Sequence, residues 1–487
     1  MSSIQRIISG SSAGLVRNFF QLGLILISLP LYLSFWSLEL YGIWILIISI
    51  ISFIKLPITN YLEYLGHEFL RNGPKNRLEI SKIIYGSVLM VVLINFFLIV
   101  LFIILFEYIP ILELLNIDQK YFNIIKISIL LVTASDIIAY VLSVFNRALY
   151  PFNYYPKTQW IGLAIIIIIP ASQIFSLFYG FKIIELSIVT FAVSSVANFF
   201  YFIFMIRFIK NEKIKYNGLY LKKNLKHLFN SLYLFLGSLV NVLKNEGSRL
   251  ILLPFVGTVQ LVTYVAIKTA NNLIRKFFYT FSNSFLIEFS GYINKKDKKK
   301  FTNSYKIIYL LLSILVTPIA FIFQIVASDI FEIWTQNKLE FDPVLFASMT
   351  TAFLIIIFYN PGLLILKSKN LFKDDMIISI ISSTAFIIIF IILIKQYSMR
   401  GAGYTLILVE LITAGLTLFY SNRWLKKKFI KFNSKILFLS FIDILISSVF
   451  IFLYACNIDK YLELIIIFFL YKSIFSIYFF RFINLNY

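Results

Sequence analysis

The stretch Asn241–Phe255, NVLKNEGSRLILLPF, places charged residues inside an otherwise apolar segment. Long apolar runs flank it on both sides, yet it contains Lys244, Glu246 and Arg249. A charged side chain at the centre of a membrane-spanning helix costs about 2.5–3.5 kcal/mol on insertion scales. Three charges in one segment therefore indicate a helix that meets other polar groups or a hydrated surface.

The composition of the whole chain sets the class of protein. Of its 487 residues, 60% are hydrophobic and only 14% are charged, which favours an all-α polytopic membrane protein. The single cysteine, Cys456, excludes an intramolecular disulfide, and the two histidines, His67 and His227, leave little for a zinc site. The sequence contains no nucleotide-binding loop and no nucleophile motif. We therefore predict no cofactor, no metal site and no enzymatic activity.

The apolar runs predict about fourteen membrane-spanning helices. A hydrocarbon core about 30 Å thick needs about 20 apolar residues per helix. The predicted spans are residues 13–34, 41–64, 83–106, 122–145, 159–180, 184–206, 231–254, 259–286, 306–327, 343–366, 376–395, 401–421, 436–455 and 462–482. The first apolar run, Leu15–Phe35, is too long for a signal-peptide core and lacks a cleavage site, so we expect a retained helix.

The distribution of basic residues predicts the orientation of these spans. Lys and Arg gather on the cytoplasmic side of membrane proteins. With the N-terminus inside, the inner connections hold most of the 45 basic residues, in runs such as NKKDKKK and RWLKKKFIK. The outer connections hold six: Lys120, Lys182, Lys338, Lys395, Arg400 and Lys460. Both termini are therefore expected in the cytoplasm, with the basic runs facing anionic lipid rather than nucleic acid.

The long basic segment 207–230 separates the first six predicted helices from the next six. Pro30 closes helix 1 shortly before Tyr41 opens helix 2, and Pro254 and Tyr264 repeat that arrangement in helices 7 and 8. Such likeness predicts two parallel six-helix halves around a central cavity. The predicted domains are residues 1–230, including the cytoplasmic linker, residues 231–421, and an extra helix pair over residues 422–487.

Polar residues inside four of the predicted spans share one helix face. Residues spaced i, i+3, i+4 and i+7 lie on the same side of a helix. Helix 7 carries such a stripe in Gly237, Ser238, Asn241, Lys244, Asn245 and Ser248; helix 8 in Lys268, Asn271, Asn272, Arg275 and Lys276; helix 1 in Gly14, Arg17, Asn18 and Gln21; helix 2 in Lys55, Thr59, Glu63 and His67. The stripes indicate organised polar faces.

Depth in the membrane separates the candidate cations into two groups. Lys244 and Lys268 lie near the middle of their spans, and Arg249 lies one to two turns from the outer end of its span. The other candidates, Arg17, Lys55, Arg275 and Lys276, lie near cytoplasmic ends, where their long side chains can also reach the headgroups. The predicted substrate ligands are Arg249, Lys268, Lys244, Arg275, Asn271, Arg17 and Lys55.

The acidic residues inside the spans are candidates for ion coupling. Glu246 precedes Arg249 by three residues, the spacing of an intrahelical ion pair. Glu410 and Asp443 are interpreted as partners of neighbouring polar groups. Asp136 has no local partner in the sequence and is the main candidate for coupling to a proton or cation, with Glu246 second.

Several segments resemble the bacterial O-antigen and polysaccharide flippases of the Wzx type, within the multidrug/oligosaccharidyl-lipid/polysaccharide exporter superfamily. The resemblance covers about residues 1–421. It rests on SLELYGIWILIISIISFIKLPITNYLEYLGHEFLR (37–71), GTVQLVTYVAIKTANNLI (257–274), DIFEIWTQNKLEF (329–341) and MRGAGYTLILVELITAG (399–415). Most such flippases have twelve helices, so the extra pair 436–482 departs from the family and leaves open a fourteen-helix relative such as the lipid II flippases.

The resemblance implies a transporter of the bacterial inner membrane. It would flip undecaprenyl-diphosphate-linked oligosaccharide units to the periplasmic leaflet for O-antigen, lipopolysaccharide or capsule synthesis. Protein partners compatible with this activity are a polysaccharide polymerase and a chain-length regulator. A drug or metabolite antiporter of the same superfamily remains an alternative, although its site is typically acidic. An O-antigen polymerase is a further alternative, although such enzymes typically need a long outer loop.

Overall fold

The computed structural model describes residues 3–216, 218–294, 298–368, 371–427, 434–456 and 461–485, and it shows helices without any strand in these ranges. The α-helices are α1 Ser3–Phe35, α2 Leu38–Asn72, α3 Arg77–Tyr108, α4 Ile111–Leu114, α5 Phe122–Ala148, α6 Tyr155–Leu177, α7 Ile183–Asn211, α8 Leu221–Val242, α9 Ser248–Asn294, α10 Lys298–Leu311, α11 Thr317–Thr335, α12 Pro343–Ser368, α13 Phe372–Lys427, α14 Ser434–Cys456 and α15 Tyr461–Leu485. Among the residues named above, Lys460 lies outside these ranges, and the side chains of Asn18, Asn241 and Lys276 lie outside the description.

The all-α polytopic membrane fold predicted from the sequence is confirmed. Within the described ranges, eleven helices are long and apolar enough to cross a membrane, and a shorter apolar helix covers Phe19–Phe35. Two of the eleven, Leu221–Leu273 and Lys373–Lys427, each cover two predicted spans. In each, the two spans meet at a bend with non-helical backbone angles, at Gly257 in α9 and at Ser398 in α13. Every one of the fourteen predicted spans therefore has a helical counterpart.

The chain divides into two compact units, Met1–Val262 and Thr263–Tyr487. The border falls within α9, five residues after the bend at Gly257, whose φ of 77° suits a glycine. The unit that contains the N-terminus thus includes α8 and the charged stretch beyond it. The division into six-helix halves at residue 230 remains a prediction about repeats.

Helix α2 lies at the centre of the first unit, where it packs against α5 and α8. Ser238 Oγ of α8 donates a hydrogen bond to Asn60 Oδ1 of α2 at 2.6 Å. Near the other end of α2, a side chain at Gly42 would place its Cβ 2.9 Å from Thr258 Cβ, so the two helices approach closely there. This seam positions the charged stretch against α2.

The basic segment between α7 and α8 is bonded to the ends of other helices of the first unit. Glu212 pairs with Arg77 at 3.3 Å and accepts a hydrogen bond from Tyr154 Oη at 2.8 Å. Burial, reinforced by the Glu212 carboxylate, raises the pKa of the Tyr154 phenol. Just beyond the segment, Lys223 in the first turn of α8 forms an ion pair with Glu79 of α3. The segment is therefore an integrated part of this unit.

In the second unit, α12 is the most enclosed helix, and it packs against α13 and α14. The C-terminal helices α14 and α15 pack against each other, and α14 also contacts α11. A π-helical turn over Leu312–Val316 joins α10 to α11. The extra helix pair thus packs against other helices of this unit, with 17% of the apolar stretch of α15 buried.

Candidate functional site

The charged stretch beyond α8 forms a π-helical turn over Leu243–Gly247. A π-turn carries one more residue per turn than an α-helix, and such turns are frequent at functional sites. Lys244 and Glu246 belong to this turn, and Arg249 lies in the first turn of α9. The structure differs here from the single α-helix that the hydrophobic pattern predicts, because apolar length does not distinguish the two kinds of turn.

The ion pair predicted from the spacing of Glu246 and Arg249 is confirmed. Arg249 Nη1 lies 2.5 Å from Glu246 Oε2, and the two side chains are 20% and 19% exposed. The same carboxylate oxygen accepts a hydrogen bond from Ser49 Oγ of α2 at 2.9 Å. Ser49 is fully buried. The carboxylate thus links two helices and holds the guanidinium from one side.

One hydrogen-bond donor of the Arg249 guanidinium is unused. Its Nε is buried and has no hydrogen-bond partner among the described residues. A buried N–H without an acceptor costs free energy, so this group is well suited to bind an incoming anion. Lys244 and Arg17, two further predicted substrate ligands in the same unit, are half-buried.

Lys55 and Asp136, predicted separately as a substrate ligand and an ion-coupling residue, form one ion pair. Lys55 Nζ of α2 lies 2.7 Å from Asp136 Oδ2 of α5. The premise that Asp136 lacks a close partner is therefore wrong, because α2 and α5 pack side by side although the residues are far apart in sequence. The Lys55 side chain remains 33% exposed. A substrate or ion that uses either residue has to compete with the other.

The candidates in the eighth predicted span, residues 259–286, belong to the second unit. Lys268 is only 8% exposed, and its Nζ lies 5.4 Å from the centre of the Tyr264 ring, a cation–π distance. Asn271 is buried, and its Nδ2 donates a hydrogen bond to Thr350 Oγ1 of α12 at 3.0 Å. Buried amides commonly join transmembrane helices in this way. Arg275 is half-buried one turn further on.

A buried ion pair in the C-terminal helices was not predicted. Lys472 Nζ of α15 lies 2.6 Å from Asp443 Oδ1 of α14, and the two side chains are 5% and 0% exposed. Tyr471 Oη donates to the same carboxylate at 2.8 Å, and Lys472 also donates to Thr317 Oγ1 at 2.5 Å. Thr317 immediately follows the π-turn Leu312–Val316. One sequence signal could have found this pair, since both residues lie near the middle of consecutive predicted spans.

The remaining acidic candidate also has a partner of the predicted kind. Tyr359 Oη of α12 donates a hydrogen bond to Glu410 Oε2 of α13 at 2.7 Å, and Glu410 is buried. This agrees with the interpretation of Glu410 and Asp443 as partners of neighbouring polar groups. Within the described residues, no three His, Cys, Asp or Glu side chains are grouped as metal ligands would be.

Comparison with known proteins shows likeness in structure but not in sequence. No protein-family model matches the chain, and no curated protein matches it. A multidrug resistance MATE family transporter of the MOP superfamily, in an inward-facing conformation, superposes with a TM-score of 0.65 at 10% identity; the match covers 85% of this chain and 95% of that one.

Two further solved structures extend the comparison. The lipid II flippase MurJ, in an inward closed conformation, superposes with a TM-score of 0.64 at 19% identity and covers 96% of this chain and 99% of its own. The Vibrio cholerae MATE transporter VcmN, in its bent form, has a TM-score of 0.54 at 10% identity and covers 87% of this chain and 95% of its own. The chain therefore has the fold of these MATE transporters and of the lipid II flippase MurJ.

Proposed function

We propose that the chain is a transporter, and not an enzyme, that flips undecaprenyl-diphosphate-linked oligosaccharide units from the cytoplasmic to the periplasmic leaflet of the bacterial inner membrane. The repeat units would serve O-antigen or capsule synthesis. The observation that carries this proposal is the set of cations inside the spans, above all Arg249 and the buried Lys268. A lipid-facing cation at that depth costs several kcal/mol, so a ligand of opposite charge gives these residues a role.

The chemistry of the substrate matches this set. A diphosphate carries two negative charges and several acceptor oxygens, and charge-assisted hydrogen bonds to Arg are strong where water is scarce. We assign Arg249, Lys268 and Lys244 as the principal substrate ligands. Arg275, Asn271, Arg17 and Lys55 are assigned as further ligands. Asp136 and Glu246 are assigned to ion coupling, since the sequence has no nucleotide-binding loop to supply energy from ATP.

A lipid II flippase is the second candidate function. The structural match to the lipid II flippase MurJ extends over 96% of this chain, whereas that to the first MATE transporter extends over 85%. Because MurJ is a lipid II flippase, we take lipid II as the substrate of the second candidate function. A drug or metabolite antiporter fits the fold as well, but the positively charged residues described in the spans favour an anionic substrate.

The surroundings of the transporter follow from the same proposal. With both termini in the cytoplasm, the basic connections face the anionic headgroups of the inner leaflet. A polysaccharide polymerase and a chain-length regulator would receive the flipped unit on the outer side. No nucleic acid is involved.

The test is a set of charge variants in a strain whose own gene is deleted. Deletion should cause lipid-linked repeat units to accumulate inside the cell. Arg249→Ala and Lys268→Ala should insert normally but fail to restore surface polysaccharide, whereas Arg249→Lys should restore part of it because the charge remains. Lys182→Ala, an exposed lysine outside the spans, is the matched control and should restore it fully. Normal polysaccharide from both alanine variants at wild-type abundance would contradict the proposal.

A further inference from the structure

Ser49 differs from Ser52, the other serine of α2, because its hydroxyl bonds a side chain from another helical segment. It is fully buried in an apolar run, and its hydroxyl donates to Glu246 Oε2 at 2.9 Å. Most serines in apolar helices instead bond a carbonyl one turn back in their own helix. Ser52, one turn further along α2, does so with Ile48 O at 2.8 Å. Ser49 therefore acts on the charged stretch.

Glu246 and Arg249 show what this contact controls. The Glu246 oxygen that accepts from Ser49 is also the one that binds Arg249 Nη1. Because Glu246 lies in a π-turn, its side-chain direction depends on a wide turn of backbone as well as on its own rotamer. The Ser49 hydroxyl supplies a fixed point for that carboxylate from a neighbouring helix. With the carboxylate fixed, the guanidinium is held from the Nη1 side.

We infer that Ser49 is a positioning residue for anion binding, which fixes Glu246 so that Arg249 presents its remaining N–H groups to the phosphate oxygens of a lipid-linked diphosphate. The inference rests on the proposed function. The unpartnered Nε of Arg249 is the donor that a phosphate oxygen would satisfy. The Ser49 hydroxyl donates its hydrogen bond to the Glu246 carboxylate, so Ser49 acts on Arg249 through that carboxylate.

The experiment measures binding of undecaprenyl diphosphate to the purified full chain in nanodiscs, with undecaprenol as the probe that lacks phosphate. Ser49→Ala should weaken binding of the diphosphate about three- to tenfold, the value of one hydrogen bond, and leave undecaprenol unaffected. Ser49→Thr keeps the hydroxyl and should restore binding. Ser52→Ala is the matched control and should bind as the wild type does.

A double-variant cycle separates positioning from general destabilisation. In a Glu246→Ala or Arg249→Ala background, Ser49→Ala should have no additional effect, because a group through which Ser49 acts is already removed. If Arg249→Ala weakens binding and Ser49→Ala does not, the inference is wrong and the proposed function stands. If Arg249→Ala leaves binding unchanged, both are wrong. An equal loss from Ser49→Ala in every background would also overturn the inference, since it would show a structural role.

Discussion

Lys55 Nζ lies 2.7 Å from Asp136 Oδ2, so the principal candidate for ion coupling is already neutralised by a cation of the neighbouring helix. The pair is partly exposed, at 33% and 20% of the two side chains. A carboxylate that holds an ammonium in one state and a proton or metal cation in another can couple ion movement to substrate movement. We therefore expect coupling to involve an exchange of the partner of Asp136, from Lys55 to a proton or metal cation.

Asp136→Asn should lower both thermal stability and gradient-driven transport, because it leaves Lys55 without its counter-charge. The double variant Lys55→Met/Asp136→Leu should regain stability but not coupling. Melting temperature and transport at imposed ion gradients measure the two effects. Glu107→Gln, which breaks the exposed pair with Lys126 on the same helix as Asp136, is the control and should change little. Transport by the double variant with wild-type gradient dependence would remove Asp136 from coupling.

The buried pair of α14 and α15 should show the asymmetry typical of ion pairs in apolar surroundings. Asp443→Asn or Lys472→Met alone should destabilise the chain by about 3–5 kcal/mol, because one charge remains buried without its partner. Asp443→Leu combined with Lys472→Met should recover most of this loss. Unfolding of the purified protein measures it, with the exposed Arg481→Met on α15 as control. A double variant no more stable than either single one would show that the pair itself holds these helices together.

Two glycines of the first unit should respond oppositely to the same substitution. At Gly42, an added Cβ would lie 2.9 Å from Thr258 Cβ and 3.0 Å from its carbonyl oxygen, so Gly42→Ala should force α2 and α9 apart and destabilise by about 1–3 kcal/mol. At Gly23 in α1 no atom lies within 4 Å of such a Cβ. Gly23→Ala should therefore be neutral or stabilising by up to about 1 kcal/mol. Melting temperatures that fall equally for both would show that the close approach at Gly42 does not exist.

The orientation predicted from basic residues is open to a direct measurement. Reporter fusions placed after Lys299 and Lys428 should be active in the cytoplasm, since both residues lie in basic runs. A fusion after Asn337, between α11 and α12, should be active in the periplasm. Activity of the Asn337 fusion in the cytoplasm would overturn the assignment of every connection.

The spans could be predicted from sequence because apolar length is a local property that the membrane reads directly. The Glu246–Arg249 pair could be predicted for the same reason, since its members are one turn apart on one helix. The partner of Asp136 could not, because Lys55 is distant in the chain and only packing of α2 on α5 brings them together.

The local backbone geometry could not be predicted from the sequence. The turn over Leu243–Gly247 has the composition of any polar helix turn, so its residues do not distinguish π geometry from α geometry. The bends at Gly257 and Ser398 fall in the predicted connections between spans, but the short lengths of these connections do not reveal that helix continues on both sides. Ser49 gave no signal in sequence, since a single serine in an apolar run most often bonds its own backbone.

The π-turn at Leu243–Gly247 also bears on how this span tolerates insertions and deletions. Removal of one residue from an ordinary α-helix rotates everything beyond it by about 100° and shortens the helix by about 1.5 Å. Within the π-turn, the loss of one residue can be absorbed by conversion to α-helix, because the turn already holds one residue more than that helix needs. Ser238 before the turn and Thr258 after it would therefore still face α2. The chain can therefore change its length by one residue at this point while the helices on either side keep their register.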